Sequence, residues 1–266
     1  MSGTKKKKKA TYKPIRGLIS AATDYHIYIP KTKEKLLWFL LGMLASGGVL
    51  YIFYESLAVS LIVGAVCGVA FVPLRTRQVI KKRKQKLTMQ FRELLDALSS
   101  SVAAGKNIQE AFQGAVDDLT VQFTKDSDIV RELEIICAGM YNNIPIEDLL
   151  TNFAQRSGVE DITNFANVFA TCYRKGGNIN EVIKNTVEII GDKIEIKMEL
   201  ETMVSGQKNE MNIMLVMPIL FIVVMKSMGG GLVDLSTPKG ILSVTASLAI
   251  FIVAYFVGQW ITDIKL

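Results

Sequence analysis

The chain has 266 residues, of which half are hydrophobic, and a formal net charge of +6 with an isoelectric point near 9.1. The basic excess is uneven: residues 1–35 hold ten Lys or Arg against two acids, residues 75–86 hold seven against none, and residues 87–210 hold eleven against twenty. Because the excess lies beside apolar segments and the long polar stretch is acidic, the composition excludes nucleic acid as the expected partner and favours a membrane protein.

Residues 1–35 are predicted to form a basic tail, with a lysine run at Lys5–Lys9. Two uncharged apolar stretches follow at residues 36–54 and 57–74, and each matches the bilayer core of about 30 Å. We therefore predict a transmembrane hairpin over residues 36–74. Tyr25, Tyr28 and Trp38 on one side of the first span, and Tyr51 and Tyr54 on the other, are expected to be interfacial anchors.

Small residues at Gly64 and Gly68 share one face of the second stretch, which predicts close helix packing. The pattern leaves open whether this packing is within the hairpin or between subunits of a homo-oligomer.

Residues 75–210 are predicted to form an acidic helical domain, because apolar residues recur with helical period. The stripes include Phe91 to Val102, Ile129 to Met140, Ile162 to Tyr173 and Ile183 to Ile194. Six helices are expected, over residues 87–104, 108–121, 127–141, 146–156, 159–174 and 179–209.

The junctions between these helices carry helix stop and start signals. Gly105 is suited to a left-handed C-terminal cap, and Asn107 with Glu110 predicts a capping box. Pro145 is expected at a first helical position, followed by the acids Glu147 and Asp148 near the positive end of the helix dipole. The same turn pattern recurs at Gly176, Gly177, Asn178 and Glu181. If Gly177 has a positive φ, Gly177→Val should destabilise the domain.

Residues 211–266 are predicted to form a second transmembrane hairpin, with spans at residues 211–228 and 241–261. Ala254 and Gly258 repeat the small-residue spacing in the last span. The predicted fold class is thus an all-α membrane protein in which a cytoplasmic six-helix bundle lies between two transmembrane hairpins, with four spans in total.

The distribution of basic residues predicts the orientation. Basic residues cluster before the first span and after the second, whereas the loop at residues 229–240 holds only Lys239. By the positive-inside rule, both termini and the acidic domain are expected in the cytoplasm. The basic clusters can also bind anionic membrane lipids.

Three motifs resemble those of the type II secretion system F family: AGKNIQEA from Ala104, IPIEDLL from Ile144 and GGNINEV from Gly176. The resemblance covers residues 87–228 well and both hairpins more loosely. It implies an inner-membrane platform protein that couples a hexameric secretion ATPase to the insertion of prepilin subunits, together with a second platform protein. The motif residues are then candidates for partner contacts as well as turn formers.

The chain departs from the two-repeat members of that family, because it has room for one copy of the helical domain. A single copy between two hairpins resembles the TadB and TadC proteins of Tad pili, so assembly of a Tad or type IV-like pilus or of a type II secretion pseudopilus is expected. The sequence does not separate a TadB-like from a TadC-like role.

An enzyme is not expected, and no catalytic, cofactor-binding or metal-binding residues are predicted. His26 is the sole histidine, which excludes histidine-dependent triads and multi-histidine metal sites. Cys67, Cys137 and Cys172 are expected to be small buried side chains in a reducing compartment. The alternative function is an oligomeric transporter or channel, against which the spans lack an ionisable residue near their centres.

Overall fold

A computed structural model describes residues 17–19, 22–28, 30–54, 56–228 and 238–262. Within these residues the chain is helical, and no strand occurs. The helices are α1 (Thr32–Tyr54), α2 (Leu57–Ala103), α3 (Ile108–Gln122), α4 (Asp128–Tyr141), α5 (Ile146–Ser157), α6 (Glu160–Lys175), α7 (Ile179–Ser227) and α8 (Pro238–Thr262).

Four predicted helices agree with α3 to α6 to within one residue at each end. The prediction of separate helices at 87–104 and 179–209 was wrong, because each is one part of a longer helix. α2 continues from the apolar stretch through the basic segment, and α7 continues into the third apolar stretch. Lys, Arg and Gln are good helix formers, and residues 75–86 contain neither Gly nor Pro, so nothing stops α2 there.

The chain divides into two compact units. The first comprises the described residues up to Tyr28 together with Val79–Gly191, and its core contains most of the predicted stripes. Phe91 of α2 packs edge-on against Phe165 of α6, with ring centroids 5.5 Å apart. Burial of each such side chain contributes about 1.5–3 kcal/mol. The stripes end at the surface, since Tyr173 is 44% exposed.

The second unit comprises the described residues of Ile29–Gln78 and Asp192–Leu266. Among the described residues, three helices are long and apolar enough to cross a membrane: α1, α2 and α7. Their apolar side chains face outward, as at Leu44, which is 72% exposed. A surface of this kind is stable in lipid and not in water, so the chain is a membrane protein. A shorter apolar stretch, Leu242–Gly258, lies within α8, and the fourth span stays a prediction.

Cys137 is buried as expected, but Cys67 lies on the exposed surface of α2 and Cys172 is only half-buried, so the expectation that these two are buried was wrong. In an apolar span, a lipid-facing position satisfies a cysteine as well as a buried one. Several sequence features lie outside the described residues: the lysine run Lys5–Lys9, residues 229–237 of the predicted outer loop, and the C-terminal residues 263–266.

Candidate functional site

The first motif forms the turn between α2 and α3. Gly105 has φ +84°, and the N–H groups of Gly105 and Lys106 donate to carbonyls of the last turn of α2 at 3.0 and 3.1 Å. The Asn107 side chain accepts from the Glu110 N–H at 2.8 Å, while the Glu110 carboxylate accepts from the Asn107 N–H at 3.3 Å. The predicted capping box is therefore present, and it fixes the direction in which α3 begins.

The second motif follows α4 in the same way. Asn143 takes the left-handed conformation with φ 57°, and the Ile144 N–H donates to the Gly139 carbonyl at 3.0 Å. Pro145 is the N-cap of α5 and not its first helical residue, so that prediction was one residue out. Its φ of −54° and extended ψ of 133° suit the cap, and its carbonyl accepts from the Asp148 N–H at 3.1 Å.

The third motif forms the turn between α6 and α7. The residue with positive φ is Gly176, at 69°, and Gly177 is not among the positive-φ glycines. The condition for Gly177→Val to be destabilising, a positive φ at Gly177, is therefore not met. The Gly177 N–H donates to the Cys172 carbonyl at 2.7 Å, a bond that requires the left-handed residue immediately before it. The Asn178 side chain then accepts from the Glu181 N–H at 3.3 Å.

Arg174 joins the second and third motifs. It lies just before Gly176, and its guanidinium is 3.4 Å from the Glu147 carboxylate and 4.0 Å from that of Asp148. Arg174 is 66% exposed, so this pair adds little stability, about 0–1 kcal/mol. It does place the start of α5 beside the end of α6.

Residues of the first motif line a groove of about 300 Å³ between the start of α3 and the end of α4. Burial, with the negative charges of Asp117 and Glu134, raises the pKa of the Cys137 thiol to about 11. The groove is lined by Asn107, Gln109, Glu110, Gln113, Cys137, Met140 and Tyr141.

A buried polar network was missed by the sequence analysis. Arg156 of α5 donates from Nη1 and Nη2 to the two carboxylate oxygens of Glu132 of α4, at 2.8 and 2.6 Å, and both side chains are at most 2% exposed. The Tyr25 hydroxyl donates to the same carboxylate at 3.0 Å, and Arg156 Nη1 also donates to the Thr23 carbonyl at 3.1 Å. Burial, above all, raises the pKa of Tyr25 far above its ordinary value.

The prediction that Tyr25 is an interfacial anchor was therefore wrong. Tyr25 is a core residue of the first unit and is 2% exposed. Its ring also lies 4.7 Å from the guanidinium of Arg83, which donates from Nε to Asp128 at 2.9 Å. Lys84 donates to the Gly158 carbonyl at 3.1 Å. No local signal marks these partners, because Tyr25 and Glu132 are 107 residues apart.

The small residues of the first hairpin lie at helix contacts. A Cβ on Gly68 would be 2.9 Å from the Phe39 carbonyl of α1, and one on Gly64 would be 3.2 Å from the Met43 carbonyl. Close approach of α1 and α2 therefore depends on both glycines. In α8, a Cβ on Gly258 would be 2.7 Å from the Met211 sulfur, whereas Ala254 is exposed.

In the described residues, no three His, Cys, Asp or Glu side chains are arranged to hold a metal ion. Polar side chains of the first unit instead cap helices, as at Asn107, pair inside the core, as at Glu132 and Arg156, or lie exposed at its surface. Among the described residues, Gln90 is an exception, because its side-chain amide is buried without a hydrogen-bond partner.

A comparison with protein families matches residues 85–225, or 141 of 266 residues, to the model described as type II secretion system (T2SS), protein F. The matched region begins at the end of the basic segment of α2, contains all three motifs and ends within the apolar part of α7. Neither the comparison with curated proteins nor that with solved structures found a match.

Proposed function

This chain belongs to the type II secretion system protein F family, and from that membership we propose that it is a platform protein of the inner membrane on which a secretion or pilus filament is assembled. The observation that carries the proposal is the position of the family match. It covers the helical unit and continues into an apolar helix long enough to span a bilayer. A scaffold that joins a helical body to the membrane is what a platform requires.

The finer proposal is a platform of the Tad type. The family match occurs once, and apolar helices lie on both sides of the helical unit along the chain. That order agrees with a single-repeat platform protein resembling TadB or TadC, and it supports a Tad or type IV-like pilus over a two-repeat system.

We further propose four spans with both termini and residues 75–210 in the cytoplasm. The seven basic residues at 75–86 against no acid support this orientation, because basic residues are retained on the cytoplasmic side. Exposed cations of this segment, such as Lys81 and Lys82, would then face the headgroups of the inner leaflet.

The proposed partners are a hexameric secretion ATPase, a second platform protein and prepilins. Residues 87–210 carry nine more acidic than basic side chains, so this part of the chain favours cationic surfaces on its partners. In this proposal the chain binds no nucleotide itself, and the ATPase supplies the energy of hydrolysis.

The test is to extract the protein from its native membrane in mild detergent and identify its bound proteins by quantitative mass spectrometry. A secretion ATPase, a second platform protein or prepilins should be enriched over a mock purification from cells that lack this protein. If none is enriched under conditions that keep a known membrane complex intact, the platform function is wrong. Ion flux through reconstituted vesicles that depends on this protein would instead favour the transporter alternative.

A further inference from the structure

The outer surface of the α3–α4 hairpin combines the capping carboxylate of Glu110 and the buried thiol of Cys137 with exposed side chains that no capping or core role explains. On α3, Gln113, Asp117 and Val121 recur at four-residue steps and so lie on one face, and on α4, Glu134 and Tyr141 are seven residues apart. The two helices pack against each other, and the groove opens at one end of them. We call this surface the α3–α4 face: Glu110, Gln113, Asp117, Val121, Glu134, Cys137 and Tyr141.

Two side chains of this face are exposed to an unusual degree. Val121 is 91% exposed and Tyr141 is 72% exposed, the highest values among the large hydrophobic residues described in the first unit. Tyr141 lines the groove, and Val121 lies about 16 Å further along α3 than Glu110, at 1.5 Å per residue. The face therefore has an apolar anchor point near each end.

The middle of the face is negatively charged. Asp117 and Glu134 are both exposed, and their negative charges add to burial in raising the pKa of the Cys137 thiol, which lines the groove. Arg131, three residues before Glu134, is held 2.6 Å from Asp126 in the turn before α4. Its charge is thus balanced by a partner outside the face, and three carboxylates remain on it, those of Glu110, Asp117 and Glu134.

We propose that the α3–α4 face binds a cationic amphipathic segment of a partner protein, with one apolar side chain in the groove and Lys or Arg opposite Asp117 and Glu134. The proposal rests on the platform function and names the chemistry of one of its contacts. A helix of about 11 residues would reach from the groove to Val121. The groove volume of about 300 Å³ is enough for one large side chain.

The charge also decides against two other occupants. Anionic lipid headgroups would be repelled by the three carboxylates. A second copy of this chain, related by a two-fold axis, would place the same carboxylates opposite each other. A cationic partner is the occupant that the face complements.

The experiment places a photoreactive amino acid at Gln113 in the full-length protein, cross-links it in native membranes and sequences the attached peptide. We expect a segment of another protein that is rich in Lys and Arg and has an apolar residue. Asp117→Lys/Glu134→Lys should lower the cross-link yield at least tenfold, whereas the control Glu160→Lys/Glu188→Lys, which changes net charge equally at exposed sites elsewhere, should not.

Several results would overturn the inference: attachment to lipid, to a second copy, to residues 1–16 of this chain, to a neutral or acidic segment, or to nothing. Equal losses in the two charge-reversal variants would overturn it as well. If the unmodified protein still recovers a secretion ATPase, a second platform protein or prepilins in those cases, the platform function stands and only the binding face is wrong. Thermal unfolding of both variants checks that they fold.

Discussion

Two Arg–carboxylate pairs in the first unit share a short nitrogen–oxygen contact but differ in exposure and in the number of bonds. Arg156 donates two hydrogen bonds to Glu132, whereas Arg131 donates one to Asp126. The nitrogen–oxygen distance is 2.6 Å both between Arg156 and Glu132 and between Arg131 and Asp126. The side chains of the first pair are 1% and 2% exposed, and those of the second are 51% and 89% exposed. We predict that Arg156→Met destabilises the protein by about 3–5 kcal/mol, whereas Arg131→Met costs at most about 1 kcal/mol.

The larger figure follows from what the substitution leaves behind. Arg156 makes four hydrogen bonds, two to Glu132 and one each to the Thr23 carbonyl and the Asn152 side chain. Without Arg156, the Glu132 carboxylate stays buried, and among the described residues the Tyr25 hydroxyl is its remaining donor. Tyr25→Phe removes one hydrogen bond to a charged group but keeps the ion pair, so it should cost less, about 1–3 kcal/mol.

The assay is thermal unfolding of the full-length protein in detergent, together with hydrogen exchange of the α4 and α5 amides, which reports local opening free energies. At about 2–4 °C per kcal/mol, Arg156→Met should lower the melting temperature of this unit by about 6–20 °C. Glu132→Leu/Arg156→Met should recover much of that loss, since no buried charge is left unpaired. An Arg156→Met loss no greater than that of Arg131→Met would refute the reasoning.

Three further predictions test local geometry. Gly176→Ala should destabilise the protein by about 1–2 kcal/mol in thermal unfolding, because φ is +69° there, and an unchanged melting temperature would contradict it. Cys137, whose pKa is about 11, should react with iodoacetamide more slowly than Cys172, as measured by mass spectrometry. Its alkylation rate should rise about tenfold per pH unit between pH 8 and 10, because the thiolate is the reactive form, and a rate that does not change with pH would contradict the prediction. Gly68→Leu should reduce the yield of folded protein, because its Cβ would lie 2.9 Å from a backbone oxygen of α1, whereas Gly48→Leu, with nothing within 4 Å, should not.

Features that depend on neighbours in the sequence were predictable. The capping box at Asn107 and Glu110 uses two residues three positions apart, and its bonds are those expected. The stop signal at Gly176 and Gly177 also marks a real turn, but sequence alone does not decide which of two adjacent glycines takes the left-handed conformation. The backbone hydrogen bonds that fix Gly176 in this conformation depend on the position of the last turn of α6.

The buried network was not predictable, because its members carry no local mark. Glu132 and Arg156 lie on amphipathic helices where a charge normally indicates the solvated face. Each is acceptable in the core only because the other is there, and Tyr25 completes the network from the far end of the unit's sequence. Pairing across 24 and 107 residues is a property of the packed helices, not of either segment.

The same network changes how the basic segment at residues 75–86 should be interpreted. Arg83 is held by Asp128 and Tyr25, and Lys84 by a backbone carbonyl, so these two cations stabilise the helical unit. Burial also lowers the pKa of Lys84. Five exposed cations remain in the segment: Arg75, Arg77, Lys81, Lys82 and Lys86. Since the predicted outer loop at 229–240 has only one basic residue, the charge difference that favours a cytoplasmic helical unit persists after the two structural cations are set aside.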